Sequence, residues 1–149
     1  MNLLQLLAEG RLQRHKTSVR EVAALLCVVD RDLADAEVTA LSDDRRFATA
    51  YNAAQQLATI VLHAAGYRAA ESGHHWTTIH VLPEILGPKE AARADYLDGC
   101  RSKRNITDYD RAGEISAGEV AGILKEARAL RADVLAWLRG RHHSLAPKA

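Results

Sequence analysis

Apolar residues recur along the chain at spacings of three and four, the period of a helix with one face in a core, and no stretch alternates long enough to read as a convincing strand. Leu3, Leu4, Leu7 and Leu12 start the pattern as a short first helix that Gly10 weakens. Ser18-Val19-Arg20-Glu21 has the form of a capping box, in which the serine hydroxyl accepts from the third residue's amide and the glutamate reaches back. Behind it, Val22, Leu25, Leu26, Val29 and Leu33 line one face of a helix over about 19–37. Ser42, followed by Asp43 and Asp44, caps a long helix that runs to Gly66 and is rich in small residues, as a helix packed on several sides needs to be. A loop is expected over 68–73. A shorter helix over about 76–86 is limited by Pro83 and ended by Gly87-Pro88, and another spans about 89–108. Ser116-Ala117-Gly118-Glu119 repeats the capping-box pattern and opens the last helix, which ends at Gly140. Residues 141–149 are expected to fray.

These elements predict an all-α, antiparallel bundle of about five helices. It forms one domain over 1–149 with an ordered core of about 18–140, its longest helices at 42–65 and 116–140. Leu57, Val61, Ile123, Leu130 and Val134 are the expected core. The composition agrees: Ala, Leu and Arg dominate and aromatics make up only 5%. A net charge of +1 excludes a strongly basic nucleic-acid binder but leaves local patches open. Cys27 and Cys100 stand alone in helical patterns and read as buried, reduced thiols. The apolar start is broken by Glu9, Arg11 and Arg14, so neither a signal peptide nor a membrane anchor is expected, and the cytoplasm is the expected compartment.

The chain has no glycine-rich phosphate loop, nucleophile elbow, CxxC pair or HExxH helix. Its densest polar run is Arg101-Ser102-Lys103-Arg104-Asn105-Ile106-Thr107-Asp108-Tyr109. At about 100° per residue, Arg101, Arg104, Asn105 and Asp108 share one face. Arginine offers a planar donor fork that suits phosphate, asparagine a donor and an acceptor, and Asp108 a carboxylate four residues from Arg104 that can hold its rotamer. The same face also reads simply as a solvated stripe carrying an ion pair. His80 and Glu84 share a helical spacing, but Pro83 lies between them and no third ligand stands at a recognised distance, so neither a metal nor a cofactor is expected. Arg45 and Arg46 sit in a helix's first turn, against its dipole, and are expected to pair with Asp43 or Asp44. Trp76 and Trp137 read as packing residues.

Two stretches resemble the HEPN family, small helical domains of prokaryotic toxin–antitoxin and defence systems that also accompany nucleotidyltransferases. The first runs from Asp43 through Tyr51-Asn52-Ala53-Ala54 to Ala58 and on to His74-His75-Trp76; it is similar to the family's central helix and the polar helix start that follows. The second, Lys103 to Tyr109, is similar to its catalytic motif of Arg, a polar residue and a later His. The resemblance implies a homodimer with two motifs facing each other, metal-independent RNA cleavage, and an RNA or nucleotide ligand. An antitoxin or nucleotidyltransferase is the implied protein partner. It assigns Arg104, Asn105 and residue 109 to catalysis, Arg101, Lys103 and Arg104 to phosphate, and Asp108, His74 and His75 to support. Where the family has histidine this chain has Tyr109, four residues intervening after Arg104. A tyrosine titrating near pH 10 (about 3 units above neutrality) is a poor general base. It can still donate to a phosphate, stack on a base or accept a nucleotidyl group, and His74-His75 or the tail pair His142-His143 could stand in as base. The reading is therefore a weak or inactive ribonuclease that binds RNA or a nucleotide; the alternative is a non-enzymatic helical dimerisation or protein-interaction module.

Overall fold

The structure, a computed structural model, describes residues 2–71, 73–109 and 112–148, and only the backbone of 106–109. It is a helical bundle: α1 (Leu3–Ala8), α2 (Val19–Ala36), α3 (Asp43–Ala64), α4 (His74–His80), α5 (Leu82–Leu86), α6 (Ala91–Tyr109) and α7 (Ala117–Arg141). Helix α3 touches α2, α4, α5, α6 and α7, so it has water on almost no side. Its alanines answer that demand. Ala50, Ala53, Ala54 and Ala58 are fully buried and let neighbouring helices approach closely. The expected core residues Leu57, Val61, Ile123, Leu130 and Val134 are all wholly buried.

Charged contacts between helices record the antiparallel order. Arg46, near the start of α3, donates from Nε to the Ala36 carbonyl at the end of α2 (2.8 Å) and lies 3.7 Å from Asp43. That bond explains a cation in α3's first turn: the opposing dipole is offset by an orphan carbonyl of α2. At the far end of the same pair, Glu21 of α2 meets His63 of α3 at 2.9 Å. Helix α7 runs against α2 through Arg131–Asp30 and Arg128–Glu37, both 2.7 Å. It runs against α6 through Arg93, whose guanidinium holds Glu90, Glu126 and Asp133.

Five expectations need correction. A two-stranded antiparallel ribbon is present, β1 (Leu12–Arg14) paired with β2 (Tyr67–Ala69), Gln13 opposite Arg68. Each strand is too short to show alternation, and the pairing is made by context. Gly66, at φ +98°, reverses the chain after α3, and Leu12 is buried with Leu6, Leu62 and Val81 in a small second core. The helix expected over 76–86 is two helices meeting at Val81, because Pro83 has no amide to continue the first. Cys27 is exposed and only Cys100 is buried; Cys27 lies about 200° around α2 from Val29, off the apolar stripe. The tail does not simply fray: a 3-10 turn at His143–Leu145 brings Leu145 and Ala146 against the main core. Last, only one of the two capping boxes closes. Ser116 and Glu119 exchange both bonds at 3.1 Å. Ser18 accepts from the Glu21 amide, but the Glu21 carboxylate turns away to Thr17, His15 and His63.

Candidate functional site

The polar run on α6 divides between two directions. Lys103 points toward α7, where its ammonium is taken by Glu119, the glutamate of the closed capping box. It therefore stands apart from the phosphate group expected of it, because a helix turns about 100° per residue and Lys103 falls off the Arg101–Arg104 face. Arg101 is held by Asp98 one turn earlier (2.9 Å). Arg104 donates from Nη2 to Asn105 Oδ1 at 2.8 Å, and its guanidinium carbon lies 5.1 Å from the centre of the Tyr51 ring. That distance is within cation–π range. The side chains of Asp108 and Tyr109, and the expected Arg104–Asp108 pair, lie outside the described residues.

Tyr51 connects α6 to α4. Its ring is fully buried in the middle of α3. Burial pushes its pKa far above the ordinary value, so the hydroxyl keeps its proton. That hydroxyl lies 3.2 Å from His75 Nδ1 and 3.4 Å from Gln55 Oε1. With one proton to give, it has two arrangements. Donation to Gln55 lets His75 Nδ1–H donate to the tyrosine oxygen and leaves Nε2 as a bare lone pair; donation to His75 keeps the proton on Nε2. Burial first, then the charges of His74, Arg104 and Arg101, lower the His75 pKa to about 4. At neutral pH this imidazole is uncharged beside two guanidinium groups. His74 is exposed, its Nδ1 is 3.0 Å from the Glu71 carbonyl, and it meets the site only through the edge of the His75 ring. His142 packs on Trp137 at the end of α7.

Arg104 also forms a wall of a polar cleft of about 600 Å³ between α2, α3 and α6, together with Asp32, Asp44, Arg45, Thr49 and Asn52. Asp32 is buried yet well bonded: Asn52 Nδ2 donates to Oδ2 at 2.6 Å, and Arg31 donates to Oδ1 from Nε and Nη2. Asp44 accepts from the Gly113 amide through Oδ2 (2.7 Å), while its buried Oδ1 has no hydrogen-bond partner among the described residues. His75 does not line this cleft. Arg104 is the side chain that faces both the cleft and the Tyr51–His75 pair. The arrangement can hold an anion with guanidinium and hydroxyl donors, and the Tyr51 ring that Arg104 meets carries an uncharged imidazole at its hydroxyl.

Sequence reasoning places Arg101, Arg104, Asn105 and His75 in one neighbourhood and mislays Lys103. It passes over Tyr51 and Asn52 as part of a helix pattern and does not single out Asp32. A signal for Asp32 exists: it stands three residues after Val29 on the apolar stripe of α2, and a carboxylate at a core position needs a partner. Compared with known proteins, the chain matches no family model, no curated protein and no solved structure.

Proposed function

We propose that this chain is a HEPN-type RNA- or nucleotide-binding protein of a toxin–antitoxin or defence-type system, acting in the cytoplasm as a homodimer and as a ribonuclease of low activity or none. One observation carries this reading: Arg104, with Arg101 one turn away, stands between a polar cleft and a neutral histidine. Arg104 and Arg101 would hold the phosphate and Asn105 would fix the Arg104 fork. His75 would take the place left by the absent histidine at 109. In that role it accepts the proton of a 2′-hydroxyl as its oxygen attacks phosphorus. A cyclic phosphate forms and the 5′-oxygen leaves, protonated by solvent. A base titrating near pH 4 is weak, which fits low activity. A phosphate bound beside it offsets the two arginine charges and raises its basicity where it is needed. No helix among the described residues is long and apolar enough to cross a membrane.

The second reading, a module that holds a partner protein such as an antitoxin or nucleotidyltransferase, is favoured by the acids of the same cleft. Asp32 and Asp44 match Arg45 and Arg104 in number, a balance that suits a partner's mixed side chains as well as phosphate.

Fluorescence anisotropy with a labelled RNA separates the two. Arg104→Ala is expected to weaken RNA binding by about 1.5–3 kcal/mol, the worth of a charge-assisted bond, with a loss that shrinks as salt rises. On a mixed RNA pool with chelator present, Tyr109→His should raise cleavage, Tyr109→Phe should leave it unchanged, and His75→Gln should remove what there is. RNA binding untouched by Arg104→Ala would discard the phosphate site and leave the interaction module.

A further inference from the structure

About 18 Å along α3 from Tyr51, at the other end of the α2–α3 pair, the diverted Glu21 sits among groups that the phosphate site does not use. Glu21 Oε1 lies 2.7 Å from His15 Nε2, 2.9 Å from His63 Nδ1 and 2.8 Å from Thr17 Oγ1. The three ligand-type atoms, two imidazole nitrogens and a carboxylate oxygen, all lie within 4.8 Å of one another. We propose that His15 Nε2, His63 Nδ1 and the Glu21 carboxylate form a binding site for a divalent transition-metal ion of the zinc class.

Four observations support the site. First, His63 Nδ1 is buried and, although close to Glu21, has no hydrogen-bond geometry with it or with any other described group. Second, burial lowers the His63 pKa, the direction that favours the uncharged ring a metal ligand presents. At Glu21 burial acts upward, but the hydrogen bonds from His15 and Thr17, with the neighbouring imidazoles, more than offset it, and the carboxyl pKa is lowered overall. Third, the ligands are pinned. The His15 amide donates to the Gly66 carbonyl (2.9 Å), the Glu21 amide to the Ser18 cap, and the Thr17 hydroxyl orients the carboxylate as an outer-shell partner does. Arg68, whose charge also reaches His63, turns its guanidinium to Gln13 Oε1 instead. Fourth, the side chains remain reachable, at 23%, 37% and 16% exposure for His15, Glu21 and His63.

Two imidazoles and one carboxylate select zinc, cobalt or nickel over calcium and magnesium, which take oxygen shells. Seating an ion about 2.0–2.2 Å from each donor opens the present contacts by about half an ångström and leaves a fourth position for water. The three ligands come from the exit of β1, the first turn of α2 and the last turn of α3, so an ion there clasps the ribbon to the bundle. The sequence conceals this set because its spacings, six residues and then forty-two, follow no motif.

The test is a calorimetric titration of the full chain with Zn²⁺ near pH 7.5, repeated with Co²⁺ to read coordination from its visible spectrum. Wild type is expected to bind one equivalent, with Co²⁺ showing four- or five-coordinate intensity, and Zn²⁺ should raise the melting temperature reversibly with chelator. His15→Gln, Glu21→Gln and His63→Gln should each weaken Zn²⁺ by more than about 100-fold, and Thr17→Val by about 10-fold, the outer-shell range. His74→Gln and His143→Gln should leave the titration unchanged. Because Thr17→Val and the metal-dependent melting shift of wild type both read the site in folded protein, a ligand variant that fails to fold does not blunt the test. Absence of stoichiometric binding by wild type overturns the site. So does binding that survives His63→Gln and disappears with His74→Gln or His143→Gln.

Discussion

The chain writes the same four-residue signature twice, Ser18-Val19-Arg20-Glu21 and Ser116-Ala117-Gly118-Glu119, and the structure uses it in two ways. Before α7 the box closes: Glu119 reaches back to the Ser116 amide with one carboxylate oxygen and holds Lys103 of α6 with the other. Before α2 the serine caps the helix, but Glu21 is drawn off by His15, Thr17 and His63. The difference comes from the neighbours. Glu119 faces a flexible ammonium that follows it to the surface, whereas Glu21 faces two part-buried rings from other segments, one anchored through its backbone to the turn after α3. A capping signature thus marks a helix start reliably, while the glutamate's second task is decided by tertiary contacts. It also explains why Lys103 stands apart from the Arg101–Arg104 face: the closed box commits it to α7.

The largest expected effect is on the caps themselves. Ser116→Ala breaks a reciprocal pair and should cost about 1–2 kcal/mol in urea unfolding, against about 0.5–1 kcal/mol for Ser18→Ala, where only one bond is lost. Equal costs would mean that the two boxes do not differ energetically.

Acidification should separate the two regions next. His63 and His75 have folded pKa values below that of free histidine, so the unfolded chain takes up protons first as pH falls below about 6.5, and stability declines from there. For His75 the window closes near pH 4, and the loss is of order 1 kcal/mol once its partial exposure is discounted. Glu119, lowered by its bond to Lys103 and by the Ser116 backbone, contributes above the ordinary carboxylate range and loses that contribution only at more acid pH. Urea midpoints between pH 7 and 5 should therefore fall for wild type and fall less for His75→Gln and His63→Gln. A flat profile in wild type would contradict the neutral histidines.

The smallest effect is expected at Lys103. Its pair with Glu119 is exposed, so Lys103→Ala should change stability by less than about 0.5 kcal/mol. RNA affinity should change far less than with Arg104→Ala. A loss as large as that of Arg104 would return Lys103 to the phosphate site.

How far the sequence could be read follows from what each feature depends on. The stripe Val22, Val29, Leu33 and the faces of α3 and α7 are set by local period, and their helices and core residues are legible one by one. The ribbon is not, since Leu12–Arg14 and Tyr67–Ala69 become strands only by finding each other across two helices. Pro83 marks a limit within 76–86, and the chain breaks into two helices there, at Val81. At the candidate site, Arg101, Arg104 and Asn105 share a face by arithmetic, and His75 joins them through Tyr51, a contact between residues twenty-four apart that no spacing announces. The Asp32–Asn52 bond and the Glu21 cluster are long-range in the same way.

The central claim is that a phosphate binds at Arg104 beside an uncharged His75, and nuclear magnetic resonance of the His75 ring tests it most directly. Titrated alone, His75 should change charge near pH 4, well below free histidine. With a short RNA bound, the same resonance should shift its midpoint upward toward neutrality, and Arg104→Ala should abolish that ligand-induced shift. A His75 that titrates near pH 6.5 (about the free value) in the unliganded protein, or whose midpoint ignores saturating RNA, would contradict the account.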